Sequence, residues 1–357
     1  MVLLTMLIIP SIVALGFFLF GGKRVTIGEF VVQNLAQLAI MGIFLLIIGY
    51  RNTHDVEIWN GRIANKESQH VHCRHSYPCH CHQVCSGSGK RRSCYTHCDT
   101  CYEHRYDVDW FAHTTNSERI DIDTVDSQGL IMPPRWNSIQ VGEPTAIQHS
   151  FTNYVKGSPD SLFRKQGLIE QYKDKIPPYP GTVYDYYHVN RVVAVGYSIP
   201  YAADINRKLE EVNAELGKKK QVNLILVFTR NMPEDFFEAL SQAWLGGKKN
   251  DFIVVTNTDS SNNVTWCRVM AWSANKMAEA AVETHVMLHG NEFDYNQLLI
   301  TIQTDIDQNF VRKPMKDFEY LSRQTKPTMG EWIFAMILGL TISVGLGILF
   351  LENDFNF

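Results

Sequence analysis

Apolar residues gather into three long runs, while the rest of the chain alternates on much shorter periods. Residues 2–20 carry no charged side chain over 19 positions, residues 30–49 none over 20, and residues 332–351 none over 20. A helix rises about 1.5 Å per residue, so roughly 20 residues cross the ~30 Å hydrocarbon core of a bilayer. Each run therefore predicts a transmembrane helix, and the short stretch 21–29 makes the first two an antiparallel hairpin. No Lys or Arg precedes Lys23, and no small-residue cleavage site follows the first run, so it reads as a retained helix rather than a signal peptide. Pro10 falls mid-run, where a neighbouring helix or water must satisfy the carbonyl that its ring frees. In the last run Ala335, Gly339, Ser343 and Gly347 recur at every fourth position. They form one smooth helix face, suited to packing on the N-terminal hairpin or on another copy of the chain as a homo-oligomer.

Between the runs the period shortens. Ile205, Leu209, Val212 and Leu216 are spaced as one face of a helix that Gly217 is expected to end. Val222–Thr229 reads as a buried strand. Pro233 then opens a helix through Phe236, Phe237, Leu240 and Trp244 that stops at Gly246-Gly247. Phe252–Thr256 is a second strand, the polar stretch 257–263 a turn, and Val264–Trp272 a hairpin partner, with helices near 275–288 and 294–310. A helix joining the first two strands allows a right-handed crossover and a parallel pair, to which the hairpin adds an antiparallel strand. Residues 129–190, rich in Pro, Gly, Tyr and Asn, read as irregular surface connections without a core of their own. The organisation expected is a membrane hairpin (1–50), a Cys/His-rich β module (51–128), a connecting region (129–195) and a compact α/β sandwich (196–312). A basic linker (313–330) and a last span with a short acidic tail (331–357) follow. The fold class is thus a multi-pass membrane protein of three transmembrane helices with an α+β soluble region.

Composition changes this picture little, because a mean hydropathy of −0.15 averages spans with a polar body. A net charge of −4 excludes a strongly basic nucleic-acid binder, so no nucleic acid is expected as a partner. Charge bears on sidedness. Near the span ends the large region carries Arg51, Arg62, Lys66, Arg312, Lys313, Lys316, Arg323 and Lys326, against Lys23 and Arg24 on the other side. By the positive-inside rule that balance predicts a cytoplasmic soluble region.

Between His70 and His104 stand seven of the eight cysteines and seven of the thirteen histidines. Thiolate and imidazole are the ligands Zn²⁺ prefers, and ligands two or three residues apart reach one ion from a tight turn. Cys94, Cys98, Cys101 and His104 would make one set. Cys73, Cys79, Cys81 and Cys85 would make another, with His75, His80 and His82 as alternatives and the basic stretch 86–92 as a loop between the two. The expected cofactor is structural zinc. A disulfide framework, four bridges if Cys267 joins the seven, competes with it in an oxidising compartment, and a redox couple of Cys98 and Cys101 is a third reading. Covalent haem is excluded because Tyr102 follows Cys101 where that motif needs His. No phosphate-binding Walker loop, His-Glu-x-x-His or Gly-x-Ser-x-Gly signature occurs. After the block, Asp107 and Asp109 fall on one face of a strand, where paired carboxylates would be an acid–base candidate but solvent-facing aspartates are commoner.

The stretch Ala243-Trp-Leu-Gly-Gly-Lys-Lys-Asn-Asp-Phe-Ile-Val-Val255, with the element order around it, resembles the TPM domain of membrane-anchored proteins over roughly 120 residues. That resemblance implies roles in photosystem repair, receptor accessory function or, in some members, acid phosphatase activity, often outside the cytoplasm. Asp251 and Asp259 are the nearest matches to the acidic strand-end residues of such a phosphatase, and as turn residues they have a plainer role. The Cys/His block with Cys-Asp-Thr-Cys-Tyr-Glu-His-x-Tyr-Asp-Val-Asp-Trp is similar to membrane proteins of large tailed phages, which implies the host inner membrane. The function expected is a membrane-anchored, non-enzymatic interaction protein, presenting a zinc-stabilised module and an α/β domain to a protein partner at the bilayer. A membrane-anchored phosphatase-like hydrolase and a thiol redox protein are the alternatives.

Overall fold

The structure, a computed structural model, describes residues 2–87, 93–158, 167–291, 295–325 and 327–353. Most of the basic stretch expected as a loop (88–92), Lys326 and residues 354–357 lie outside them. Three apolar helices form one bundle: α1 (Val2–Phe20), α2 (Ile27–Thr53) and, at the far end of the chain, a helix over Met329–Glu352. The second and the last are long and apolar enough to cross a membrane. Both begin with a capping box, Thr26 with Glu29 and Thr328 with Glu331, in which side chain and backbone satisfy each other's end groups.

From α2 the chain runs directly into β1 (His54–Val71), an 18-residue strand. Then come β2 (Ser76–Ser86), β3 (Ser93–Tyr102), β4 (Asp107–Thr114), β5 (Arg119–Ile122) and β6 (Pro144–Thr152). Strands β5-β4-β1-β6 make an antiparallel sheet, and β2-β3 a separate two-stranded ribbon that extends from the end of the central β1-β4 pair. The connecting region is thus not wholly irregular. Residues 144–152 pair with β1 from His54 to Arg62, and Ala146 is buried with Ile58 of β1. The alternation there is short and interrupted by His149, which hides it in the sequence.

The α/β unit starts at β7 (Val192–Val195), followed by α3 (Ala202–Lys220), β8 (Asn223–Arg230), α4 (Asp235–Ala243), β9 (Asp251–Thr258) and β10 (Val264–Ala271). It closes with α5 (Met277–His289) and α6 (Tyr295–Asn309), and the last apolar helix is α7 (Met329–Glu352). The sheet order is β10-β9-β8-β7, with the first three strands in sequence parallel and β10 antiparallel. Alternate residues of β8 face two cores. Leu224, Leu226 and Phe228 meet α3, α5 and α6, while Ile225 and Val227 meet Phe236, Ala239 and Leu240 of α4. The connections through α3 and α4 step the same way along the sheet yet lie on opposite faces, so only one has the usual right-handed sense.

Gly217 does not end its helix. It lies inside α3, where a Cβ would come within 2.3 Å of the Asn60 carbonyl, so it is a close approach to β1. The cap falls instead at Gln221, with φ 56°.

Candidate functional site

The ribbon β2-β3 is exposed along most of both strands. Its strands are tied by three disulfides, Cys79–Cys101, Cys81–Cys98 and Cys85–Cys94. Cys85 and Cys94 are direct cross-strand partners, and a register shift between Cys79 and His82 is taken up at His80, with φ 45°. Closing a loop of this size removes about 3 kcal/mol of chain entropy from the unfolded state for one bridge considered alone. Nested bridges contribute less than that sum, because each shortens the loop left for the next. Tyr77, Tyr95 and Tyr102 stand exposed on the ribbon, and His82 meets His97 edge-on at 5.5 Å.

This pairing differs from the expected ligand sets. Cys79, Cys81, Cys85, Cys94, Cys98 and Cys101 are bonded to one another, and a disulfide sulfur has no thiolate to offer a metal. The physical reason is that the block is extended. Residues three apart on a strand point to opposite faces, so Cys98 and Cys101 reach across the ribbon rather than toward each other. A Cys98–Cys101 redox pair is therefore not formed. Nor are there four bridges. Cys267 is buried in β10, where burial pushes its thiol up to about 12, and Cys73 stays single and buried.

Of the expected ligands that are not bridged, Cys73, His75 and His104 lie where the ribbon joins the sheet, while His80 and His82 stand exposed on β2. The Cys73 Sγ lies 3.8 Å from His104 Nδ1, which lies 3.3 Å from Asp107 Oδ1. The other Asp107 oxygen accepts the Arg74 amide N–H at 2.9 Å. That hydrogen bond, against partial desolvation, holds the Asp107 carboxyl below its ordinary range. Asp109 is tied instead to the guanidinium of Arg74 at 2.6 Å and to Arg119 at 3.5 Å. Asp107 and Asp109 thus have different partners.

A second polar cluster joins the β1 sheet to the α/β unit. Arg191, 1% exposed, donates from Nε to Asn223 Oδ1 at 2.7 Å and from Nη2 to Asn60 Oδ1. Burial lowers its pKa to about 10, which still leaves it charged at neutral pH. Asn223 passes the contact on to Asp251 at 2.8 Å, and the second Asp251 oxygen accepts from Tyr179 OH and Lys248 N, each at 2.6 Å. Burial pushes the Asp251 carboxyl up to about 6, against these donors. Lys248 Nζ donates to both oxygens of Asp55 at 2.6 and 2.8 Å. Burial pushes Asp55 upward, but the hydrogen bonds from Lys248 and Asn153 prevail and hold it below the ordinary carboxylate range. Fully buried Glu57 is met by Lys249 at 3.0 Å and Arg312 at 3.2 Å. Asp251 is thus sealed inside a structural junction, with no exposed surface. Asp259 closes the β9-β10 turn by accepting the N–H groups of Ser261 and Asn263, each at 2.8 Å.

In the apolar bundle Ala335, Gly339, Ser343 and Gly347 are buried and face the N-terminal hairpin. A Cβ on Gly339 would meet Pro10 at 2.7 Å, and one on Gly347 the Phe17 ring at 2.4 Å. Ser343 donates to the Pro10 carbonyl at 2.8 Å, and Gln33 Nε2 donates to the Ser343 carbonyl at 2.7 Å. Glu29, Gln33 and Gln37 form a fully buried polar column on α2, and among the described residues both amide atoms of Gln37 lack a hydrogen-bond partner. The sequence reading passed over this column, although polar residues at i, i+4 and i+8 in an otherwise apolar run are the signal for it. Asp107, three residues after His104, carried a similar spacing signal.

No family model matches this chain, and no curated protein or solved structure is significantly similar to it.

Proposed function

We propose that the chain is a three-span membrane protein that holds a disulfide-stapled ribbon and an α/β domain on the oxidising side of the membrane, for recognition by a protein partner. The observation that carries this reading is the exposed ribbon with three cross-strand bridges. Such bridges persist in secreted, periplasmic and surface compartments and are rare where thiols are kept reduced.

This reverses the side expected from the charge balance, and the rule itself supplies the reason. Long loops translocate largely regardless of charge, so weight belongs to the short loop, which carries Lys23 and Arg24. Arg62 and Arg312, counted earlier for the other side, are engaged in the fold with Glu211, Glu215 and Glu57. An outward α/β unit also suits the TPM-like element order. With the phage resemblance, the membrane would be the host inner membrane and the ribbon would face the periplasm.

The hydrolase alternative rests on Asp251 and Asp259, and their burial and turn bonding favour scaffold roles. The test is a pair of reporter fusions at residue 320, combined with photo-crosslinking from Tyr95. Active alkaline phosphatase with dark green fluorescent protein, and a Tyr95 adduct lost when the three bridges are reduced, are expected. The reverse reporter pattern, or a Tyr95 adduct pattern no different from that at exposed Asp204, would overturn the reading.

A further inference from the structure

We propose that Cys73, His104 and Asp107 form a zinc site that clamps the base of the ribbon to the sheet. This does not rest on the partner reading. The three residues come from the two crossings that attach the ribbon. Cys73 follows the end of β1, His104 follows β3, and Asp107 opens β4 opposite Val71.

Their donor atoms lie within 4.8 Å of one another. Zn–S of about 2.3 Å and Zn–N or Zn–O of about 2.0–2.1 Å at a tetrahedral angle require S···N near 3.6 Å and N···O near 3.3 Å. The observed separations are 3.8 and 3.3 Å. Hydrogen bonds also link these groups, since the Cys73 thiol can donate to the His75 carbonyl at 3.6 Å and His104 Nδ1–H to Asp107 Oδ1 at 3.3 Å. His104 Nδ1 has either one hydrogen or one lone pair, yet a thiol and a carboxylate both converge on it. A cation between the three satisfies them together, with the imidazole nitrogen presenting its lone pair and the thiol losing its proton to solvent.

The surroundings are those of a ligand set. The second Asp107 oxygen is fixed by the Arg74 amide, as outer partners fix metal-bound carboxylates. His75 lies edge-on to His104 at 5.9 Å between ring centres, and its Nε2 is 3.0 Å from the Ser127 carbonyl. A carbonyl takes a donated N–H, so His75 is held by Ser127 outside the three-ligand group, and water would fill the fourth position. One thiolate, imidazole and one carboxylate suit Zn²⁺ better than the all-oxygen ions. The site also accounts for a seventh thiol that stays unpaired beside six bridged ones.

The test uses full-length protein in detergent, stripped with chelator and dialysed against zinc, with metal measured by mass spectrometry. One zinc per chain is expected, and Cys73→Ser or Asp107→Asn should weaken binding about 100-fold or more. The Cys85→Ser, Cys94→Ser double variant should retain it. Because a ligand variant could misfold, Co²⁺ is loaded into the unaltered protein. Tetrahedral d–d bands with a charge-transfer band of a single thiolate are expected. Folded protein without zinc, zinc retained by both ligand variants, zinc lost with the distal bridge, or cobalt spectra lacking a thiolate band would each overturn the site.

Discussion

Asp251 shows how one buried carboxyl can set a pH dependence. Its pKa rises from 3.8 to about 6 in the fold, so between those values the folded chain keeps a proton that the unfolded chain has released. The stabilisation is fully present below about pH 4 and is lost as pH rises through about 6, with a limit of about 3 kcal/mol. Asp55 has the opposite sense, since its depressed carboxyl contributes only above the unfolded value and loses that contribution in acid. Asp251→Asn should therefore gain on the unaltered protein between pH 4 and 7. The slope of the difference in thermal midpoint is the readout, because a misplaced amide adds a roughly constant cost. Parallel midpoints across that range would remove Asp251 as the cause. Gly217 offers a second residue-scale test. Alanine improves helix propensity by about 1 kcal/mol, but its Cβ would lie 2.3 Å from backbone, which cannot yield as a side chain would. Overpacking of this kind costs about 1–3 kcal/mol, so Gly217→Ala should lower the thermal midpoint while Gly42→Ala, with open space around it, should not.

Among elements, the ribbon makes a simple chemical prediction. Unfolded without reductant the chain should titrate two thiols, from Cys73 and Cys267, and after reduction all eight. Eight thiols before reduction would mean that the bridges are absent. The helices and strands from 202 to 309 were legible in the sequence to within a few residues, because each has one apolar face or is apolar throughout. Gly217 misled because a close approach and a helix stop use the same residue. The 18-residue β1 was not legible, since its outer half is polar and exposed and only its junction half is buried. The Cys/His block was legible as a site but not as a geometry. Spacing suggested neighbours in a turn, whereas extended strands place partners across the ribbon. The small-residue stripe was legible as a smooth helix face, and in the fold it lies against the N-terminal hairpin. Gly347→Leu should therefore separate α7 from Phe17 and raise protease sensitivity in detergent, with unchanged digestion counting against that packing.

At the scale of the whole molecule, the bundle is built from the two ends of the chain. The Gln33–Ser343 contact joins residues 310 positions apart, and until α7 exists nothing in the N-terminal hairpin replaces it. On the proposed topology the hairpin inserts first and waits in lipid with the Gln33–Ser343 contact unmade. At about 5–20 residues per second the interval is about 15–60 s. A chain stopped before Met329 should be turned over quickly despite a complete soluble region, and Gln33→Leu with Gln37→Leu should lengthen the half-life of that truncated chain in pulse-chase. Equal lifetimes for both truncated chains would argue against such a wait. The order of synthesis thus leaves one buried amide of the first-made helices without its partner until the last-made helix arrives.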